Sequence, residues 1–177
     1  MLQKKENGRI YLGDESKGGR EVVATTTAVL LIEFQNEFCS PGGKLHDSVK
    51  AVMKSNNMVK NTAALASAAR KTGAQVIHVP FIYSDNNAPN SRMGIIGSMR
   101  TKEMFIRDTW GADFIQTHKP QPGDTTIKGK HGIDCFAGSN LEDLILEKGI
   151  VSQFYIVGCA CNAINQSEYR MGFSRRR

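Results

Sequence analysis

Two ionisable residues stand at the ends of strand-like segments in this chain. Glu33 closes the run Thr27-Ala28-Val29-Leu30-Leu31-Ile32, and Lys130 closes Thr125-Thr126-Ile127-Lys128-Gly129. An acid at the end of a buried strand is costly unless it is paired or used. A structural ion pair is one reading of Glu33. The other is a general base or acid, because a carboxylate facing a lysine can move a proton. Period-two alternation would put Thr126, Lys128 and Lys130 on one face of their strand. Lys128 is therefore the rival of Lys130, with a snorkelling or paired lysine as its plainer role. Glu37 reads as a turn or surface acid. A third feature is the segment Gly158-Cys159-Ala160-Cys161-Asn162-Ala163-Ile164-Asn165-Gln166-Ser167, which follows an apolar strand and opens what reads as a helix. Cys159 and Cys161 are most simply small buried residues there.

The remaining composition narrows the partners. His46, His78, His118 and His131 show no metal-ligand spacing, so neither a metal nor a cofactor is expected. His78, inside an apolar strand, reads as a core histidine with its hydrogen bonds satisfied. The net charge of +6 is spread along the chain, and the only basic run is Arg175-Arg176-Arg177, so nucleic acid is not an expected partner. No apolar run reaches the roughly 20 residues that span a bilayer, so no membrane is expected either. The first 25 residues are polar and carry no signal-peptide core. Cys39, Cys135, Cys159 and Cys161 lack disulfide-scaffold density, which makes a reduced, cytoplasmic setting the default.

These residues need a frame that brings strand ends together. Thr27 to Ile32 reads as a strand buried on both faces of a parallel sheet. Met58 to Thr72 reads as a helix with Met58, Thr62, Leu65 and Ala69 on its inner stripe and Gly73 as its stop. A second strand is expected over 75–81, a mostly helical or irregular stretch over 101–117, a turn over 120–124 and a third strand over 125–130. Ser139-Asn140-Leu141-Glu142 has the pattern of a capping box, with Leu141, Leu144 and Ile145 as the buried stripe of its helix and Gly149 as its end. A fourth strand falls over 154–157. The turn-rich segment 84–97 reads as a rim of the site. Repeated β-α units predict an α/β fold: a three-layer, doubly wound, Rossmann-like parallel sheet with helices on both faces. Residues 1–26 form a polar N-terminal extension and 27–177 the domain. In such sheets the ligand crevice lies beyond the carboxyl ends of the strands.

The strand ends resemble a known family. Ile32-Glu33-Phe34-Gln35-Asn36-Glu37-Phe38 is similar to the first-strand motif of isochorismatase-like cysteine hydrolases, usually written with Asp and in some members with Glu. Gly129-Lys130 and Phe136 resemble that family's lysine stretch. Trp110-Gly111-Ala112 and Pro122-Gly123-Asp124 also resemble family positions and read as packing and turn residues. Gly158, Asn162 and Ser167 fit the family's nucleophile turn, and the resemblance spans about 27–173.

The resemblance implies hydrolysis of amide or other C–N bonds, or in true isochorismatases of a vinyl ether, on a small-molecule substrate, with a homo-oligomeric assembly expected. It assigns Glu33 as general base or acid and Lys130 as its partner, which would stabilise the carboxylate charge and polarise a substrate oxygen. Ile164 occupies the nucleophile position, and Cys161 stands where a threonine is usual. Thiol catalysis is therefore expected to be impaired, with Cys161 as a candidate displaced nucleophile. The alternative is a non-catalytic small-molecule-binding or subunit-interaction module. The resemblance also implies a cis bond between Ala160 and Cys161. Against the family pattern the usual last strand and helix are lacking, so the fourth strand is expected at an exposed edge.

Overall fold

In the computed structural model, the described residues are 3–4, 9–12, 20–83, 94–130, 132–150 and 153–158. The centre is β4, Thr27–Ile32, whose six residues are all buried. It pairs in parallel with β5, Gln75–Val79, on one side and with β7, Gln153–Gly158, on the other. β6, Thr125–Thr126, adds to the far side of β5, giving the order β6-β5-β4-β7, with β7 at one edge among the described residues.

The alternation of β4 explains the layers. Ala28, Leu30 and Ile32 point to one face, where they pack with Ile77, Val79, Ile127, Cys135, Leu141 and Ile150. Helix α5, Leu141–Glu147, covers that face through Leu141, Leu144 and Ile145. Val29 and Leu31 point to the other, against Ala66 and Ala69 of α3, Met58–Thr72. Small residues on α3 let the helix approach the sheet closely. Its end matches expectation: Gly73 takes φ +83° and donates its N–H to the carbonyls of Ala69 and Arg70. The three-layer α/β architecture is as the sequence predicts.

Several elements differ from the sequence reading. Within the polar 1–26 stretch lies a three-stranded antiparallel sheet, β1 (Gln3–Lys4), β2 (Arg9–Leu12) and β3 (Arg20–Val23). The last four residues of the expected 84–97 rim belong to a helix, α4, Gly94–Thr101. Residues 84–93 lie outside those described. Two short helices also intervene after β4: α1, Asn36–Cys39, and α2, His46–Ser55. The expected capping serine is displaced by one residue: the N-cap of α5 is Asn140, without a side-chain cap bond, while Ser139 accepts the Leu141 N–H and donates its own hydroxyl to the Cys135 carbonyl. Among the described residues, no helix is long and apolar enough to cross a membrane.

Candidate active site

Connections from β4 run one way to β5 and β6 and the other way to β7, so the strand order reverses beside β4. Open parallel sheets place their ligand crevice at such a switch point, beyond the carboxyl ends of the strands. Ile32 pairs with Gly158 in register. Glu33 and Gly158 therefore flank the switch point. Gly158 is required there, because an added Cβ would come within 2.9 Å of the Ile32 carbonyl oxygen.

Glu33 departs from the strand with φ 59°, a left-handed conformation that side-chain-bearing residues adopt at a cost of about 1–3 kcal/mol. Its N–H still donates to the Val79 carbonyl at 3.0 Å, which closes the ladder and turns the carboxylate off the strand direction. Strain of this kind persists where the surrounding structure enforces it.

Lys130 reaches the same point by another irregularity. The third strand does not extend over 125–130 as the sequence reading has it. It ends at Thr126, although the Ile127 N–H still donates to His78 O. The Lys128 N–H then turns to the side chain of Asn140, and Gly129 takes φ 86°. That left-handed residue breaks the alternation, so Lys128 and Lys130 do not share a face: Lys128 is exposed and Lys130 is buried. No side chain fits at 129, where a Cβ would lie 2.3 Å from the Gly138 carbonyl oxygen.

The Lys130 ammonium donates to Glu33 Oε1 at 2.5 Å. The lysine side chain is 0% and the glutamate side chain 6% exposed. The nitrogen also lies over the Phe81 ring, 4.9 Å from its centroid. Phe81 is wedged edge-on against Tyr83 and Phe105. Glu33 and Lys130 thus meet as expected, and Lys128, the rival, does not take part.

The turn after Glu33 holds residues that the sequence reading passed over. Gln35 is wholly buried, and its side-chain amide makes three hydrogen bonds. It donates to the carbonyls of Phe81 and Ala112 and accepts the Phe81 N–H. Asn36 donates to the Trp110 carbonyl and accepts from Ser40. The signal available in the sequence was an amide pair set between Phe34 and Phe38, polar residues in an apolar setting. Glu37 corrects the expectation of a surface acid. It is 5% exposed, accepts the Lys44 N–H, and packs where a Cβ on Gly111 would come 2.4 Å from its Oε1. The glycine in Trp110-Gly111-Ala112 makes room for that carboxylate. Trp110 itself is exposed, so it is not the packing residue the sequence suggested.

His78 is only half satisfied. Its Nε2 meets Asp124 Oδ2 at 2.8 Å, but its buried Nδ1 has no hydrogen-bond partner. Burial lowers its pKa, against the opposing pull of Asp124. Asp124 belongs to a turn, as expected, and also accepts a two-point contact from Arg70. Burial pushes its carboxyl up, but Arg70, the Gln121 N–H and His78 together hold it below the ordinary value. His118 stacks on Phe34 at 4.2 Å between centroids and bonds Thr62 through Nε2. Burial, with the charges of His78 and Arg70, lowers its pKa to about 4. These histidines support the core. Cys159, Cys161, Ile164, His131 and the bond joining Ala160 and Cys161 lie outside the described residues.

Residues 27–174 match the isochorismatase domain family model. A ureidoacrylate amidohydrolase RutB of Caulobacter segnis is 29% identical over 161 residues, covering 84% of this chain and 66% of that protein. The Azorhizobium caulinodans RutB is 26% identical over 165 residues, covering 86% and 72%. The chain thus spans about two thirds of the length of these curated relatives. A cysteine hydrolase from Pseudomonas syringae pv. phaseolicola superposes with a TM-score of 0.72 at 22% identity, over 87% of this chain and 68% of that one. An N-carbamoylsarcosine amidase from Thermoplasma acidophilum gives 0.64 at 18%, over 85% and 78%. The two solved structures share the fold.

Proposed function

The chain belongs to the isochorismatase family, and on that premise we propose that it carries the acid–lysine half of an amidohydrolase site for a small molecule with an amide or ureido C–N bond. The observation that carries this reading is the buried Glu33–Lys130 pair at the switch point of the sheet. An ion pair taken out of water is expensive, and a fully apolar pair of the same size often does as well for stability. Its position at the switch point, on a strained residue, supports a chemical use over a purely structural one.

In this reading Glu33 accepts the proton of the attacking group and returns it to the leaving nitrogen, and Lys130 holds the carboxylate in place and offers an N–H to the substrate oxygen. The curated relatives named for ureidoacrylate hydrolysis supply the substrate class. Ile164, at the position the family gives to its nucleophile, impairs the thiol half of the reaction. Cys161 would be the displaced nucleophile, and a vinyl ether, which the acid can protonate without a thiol, is the substrate that tolerates the loss. The same isoleucine favours one second reading, a non-catalytic small-molecule-binding or subunit-interaction module on this scaffold.

Turnover of a small ureido acid, a simple amide and isochorismate by wild type and by Glu33→Ala separates the two. Loss of a measurable rate in Glu33→Ala supports the enzyme. Saturable binding of the same compounds without turnover supports the binding module.

A further inference from the structure

Beyond Glu33 and Lys130, we propose that Gln35 and Phe81 are positioning residues of the pair: the Gln35 amide clamps the main chain of Phe81 so that its ring holds the Lys130 ammonium against Glu33. The functional meaning of this clamp rests on the acid–lysine reading above, but the geometry stands apart from it.

β5 ends at Val79, and Pro80 follows it. Proline has no N–H to extend the ladder. The Phe81 backbone is buried all the same, so its N–H and carbonyl need partners. The Gln35 side chain supplies both. Its Oε1 accepts the Phe81 N–H at 2.8 Å, and its Nε2 donates to the Phe81 carbonyl at 2.9 Å. The second Nε2 hydrogen goes to the Ala112 carbonyl at 2.7 Å. A primary amide thus substitutes for a strand. Gln35 is itself held, because the N–H of Asn36 donates to Asp113 O and the N–H of Ile115 donates to Phe34 O on either side of it.

Two main-chain hydrogen bonds leave Phe81 little freedom in φ and ψ, and the rings of Tyr83 and Phe105, T-shaped against it with centroids at 4.8 and 5.3 Å, limit its ring. The Lys130 ammonium sits over the ring, 4.9 Å from its centroid. A cation over an aromatic face is stabilised by the ring quadrupole, most strongly when water is absent. Lys130 is as desolvated as a side chain can be. Its ammonium therefore has a fixed carboxylate partner and a fixed ring partner, and Gln35 fixes the ring.

The test reads the lysine rather than turnover. Lys130 is labelled with an amine-directed reagent, its modification rate is followed by peptide mass spectrometry, and its ε-methylene proton shifts are measured by NMR. Wild type, Gln35→Leu, Gln35→Asn, Phe81→Leu and Asn36→Ala are compared. Asn36→Ala is the control, since Asn36 stabilises the same turn without touching Phe81. Labelling should rise on the order of tenfold in Phe81→Leu and in either folded Gln35 variant, the size of effect a desolvated cation–π contact can give. The ring-current shift of the Lys130 ε-methylene should collapse in the Gln35 variants although the ring is still present. Asn36→Ala should move neither readout. Unchanged labelling in Phe81→Leu overturns the proposal, as does a Lys130 response in Asn36→Ala equal to that in the Gln35 variants. A chain with no hydrolytic activity that still shows these responses would refute the enzymatic reading and leave the clamp intact.

Discussion

The Glu33 carboxylate and the Lys130 ammonium meet at 2.5 Å across 97 residues of chain, at the carboxyl end of the sheet beside the point where the strand order reverses. Each residue reaches that point through a left-handed backbone position, Glu33 through its own φ and Lys130 through the φ of Gly129. The pair is therefore built by local irregularity at both strand ends.

Removing the lysine tests the pair's structural side. Lys130→Met strands a buried carboxylate and should cost about 3–5 kcal/mol. Lys128→Met, at an exposed position, should stay within about 0.5 kcal/mol of wild type. Urea denaturation of both variants gives the comparison, and equal losses would show that the two lysines are not distinguished as described.

Gly129→Ala should be worse than its size suggests. The new Cβ meets a left-handed φ and the Gly138 carbonyl at once, at a cost of about 2 kcal/mol or more. Any folded protein should expose Lys130, seen as faster amine labelling. Gly73→Ala, which has the same backbone sign but open space, should destabilise without moving Lys130.

Acid sensitivity should trace to His118. The unfolded chain takes up its proton near the ordinary value of 6.5, whereas the folded protein resists until about 4. Between those values the unfolded state binds more protons, so stability falls as pH falls, and above them the group contributes no slope. His118→Phe keeps a ring against Phe34 and should flatten that limb in thermal unfolding measured from pH 7 to pH 4. An unchanged slope would assign the acid limb to other groups.

Asp124 should act in the same direction at lower pH. Its folded pKa is depressed, so its stabilisation is present above the ordinary carboxylate value and is lost as pH falls through the folded one. Asp124→Asn weakens the charge-assisted bonds to Arg70 and His78 and should cost about 2–3 kcal/mol at neutral pH. Chemical denaturation at pH 7 and pH 3 should show the gap closing at the lower pH.

Much of the frame was legible in the sequence because it depends on local pattern. The apolar run of β4 and the Ala-rich face of α3 with its terminal glycine appear in the structure with the bounds that were read. What was missed depends on contacts far along the chain. The burial of Glu37 is hidden because Gly111 makes room for it from another segment. The third strand was overextended because nothing local shows that Asn140 takes the Lys128 N–H. Gln35 passed as part of a motif, since a side-chain amide that replaces a ladder partner leaves no periodic trace. The choice of Lys130 over Lys128 came from the family resemblance, and alternation alone would have grouped the two.

The central claim is that Glu33 and Lys130 serve chemistry at the position now held by Ile164. Hydrolysis of a small ureido acid by wild type, Ile164→Cys, and Ile164→Cys combined with Glu33→Gln tests it most directly. The rate in Ile164→Cys should rise well above that of wild type and be lost again when Glu33 is changed. Equal rates in the two cysteine variants would contradict it, as would a wild-type rate that the cysteine does not raise.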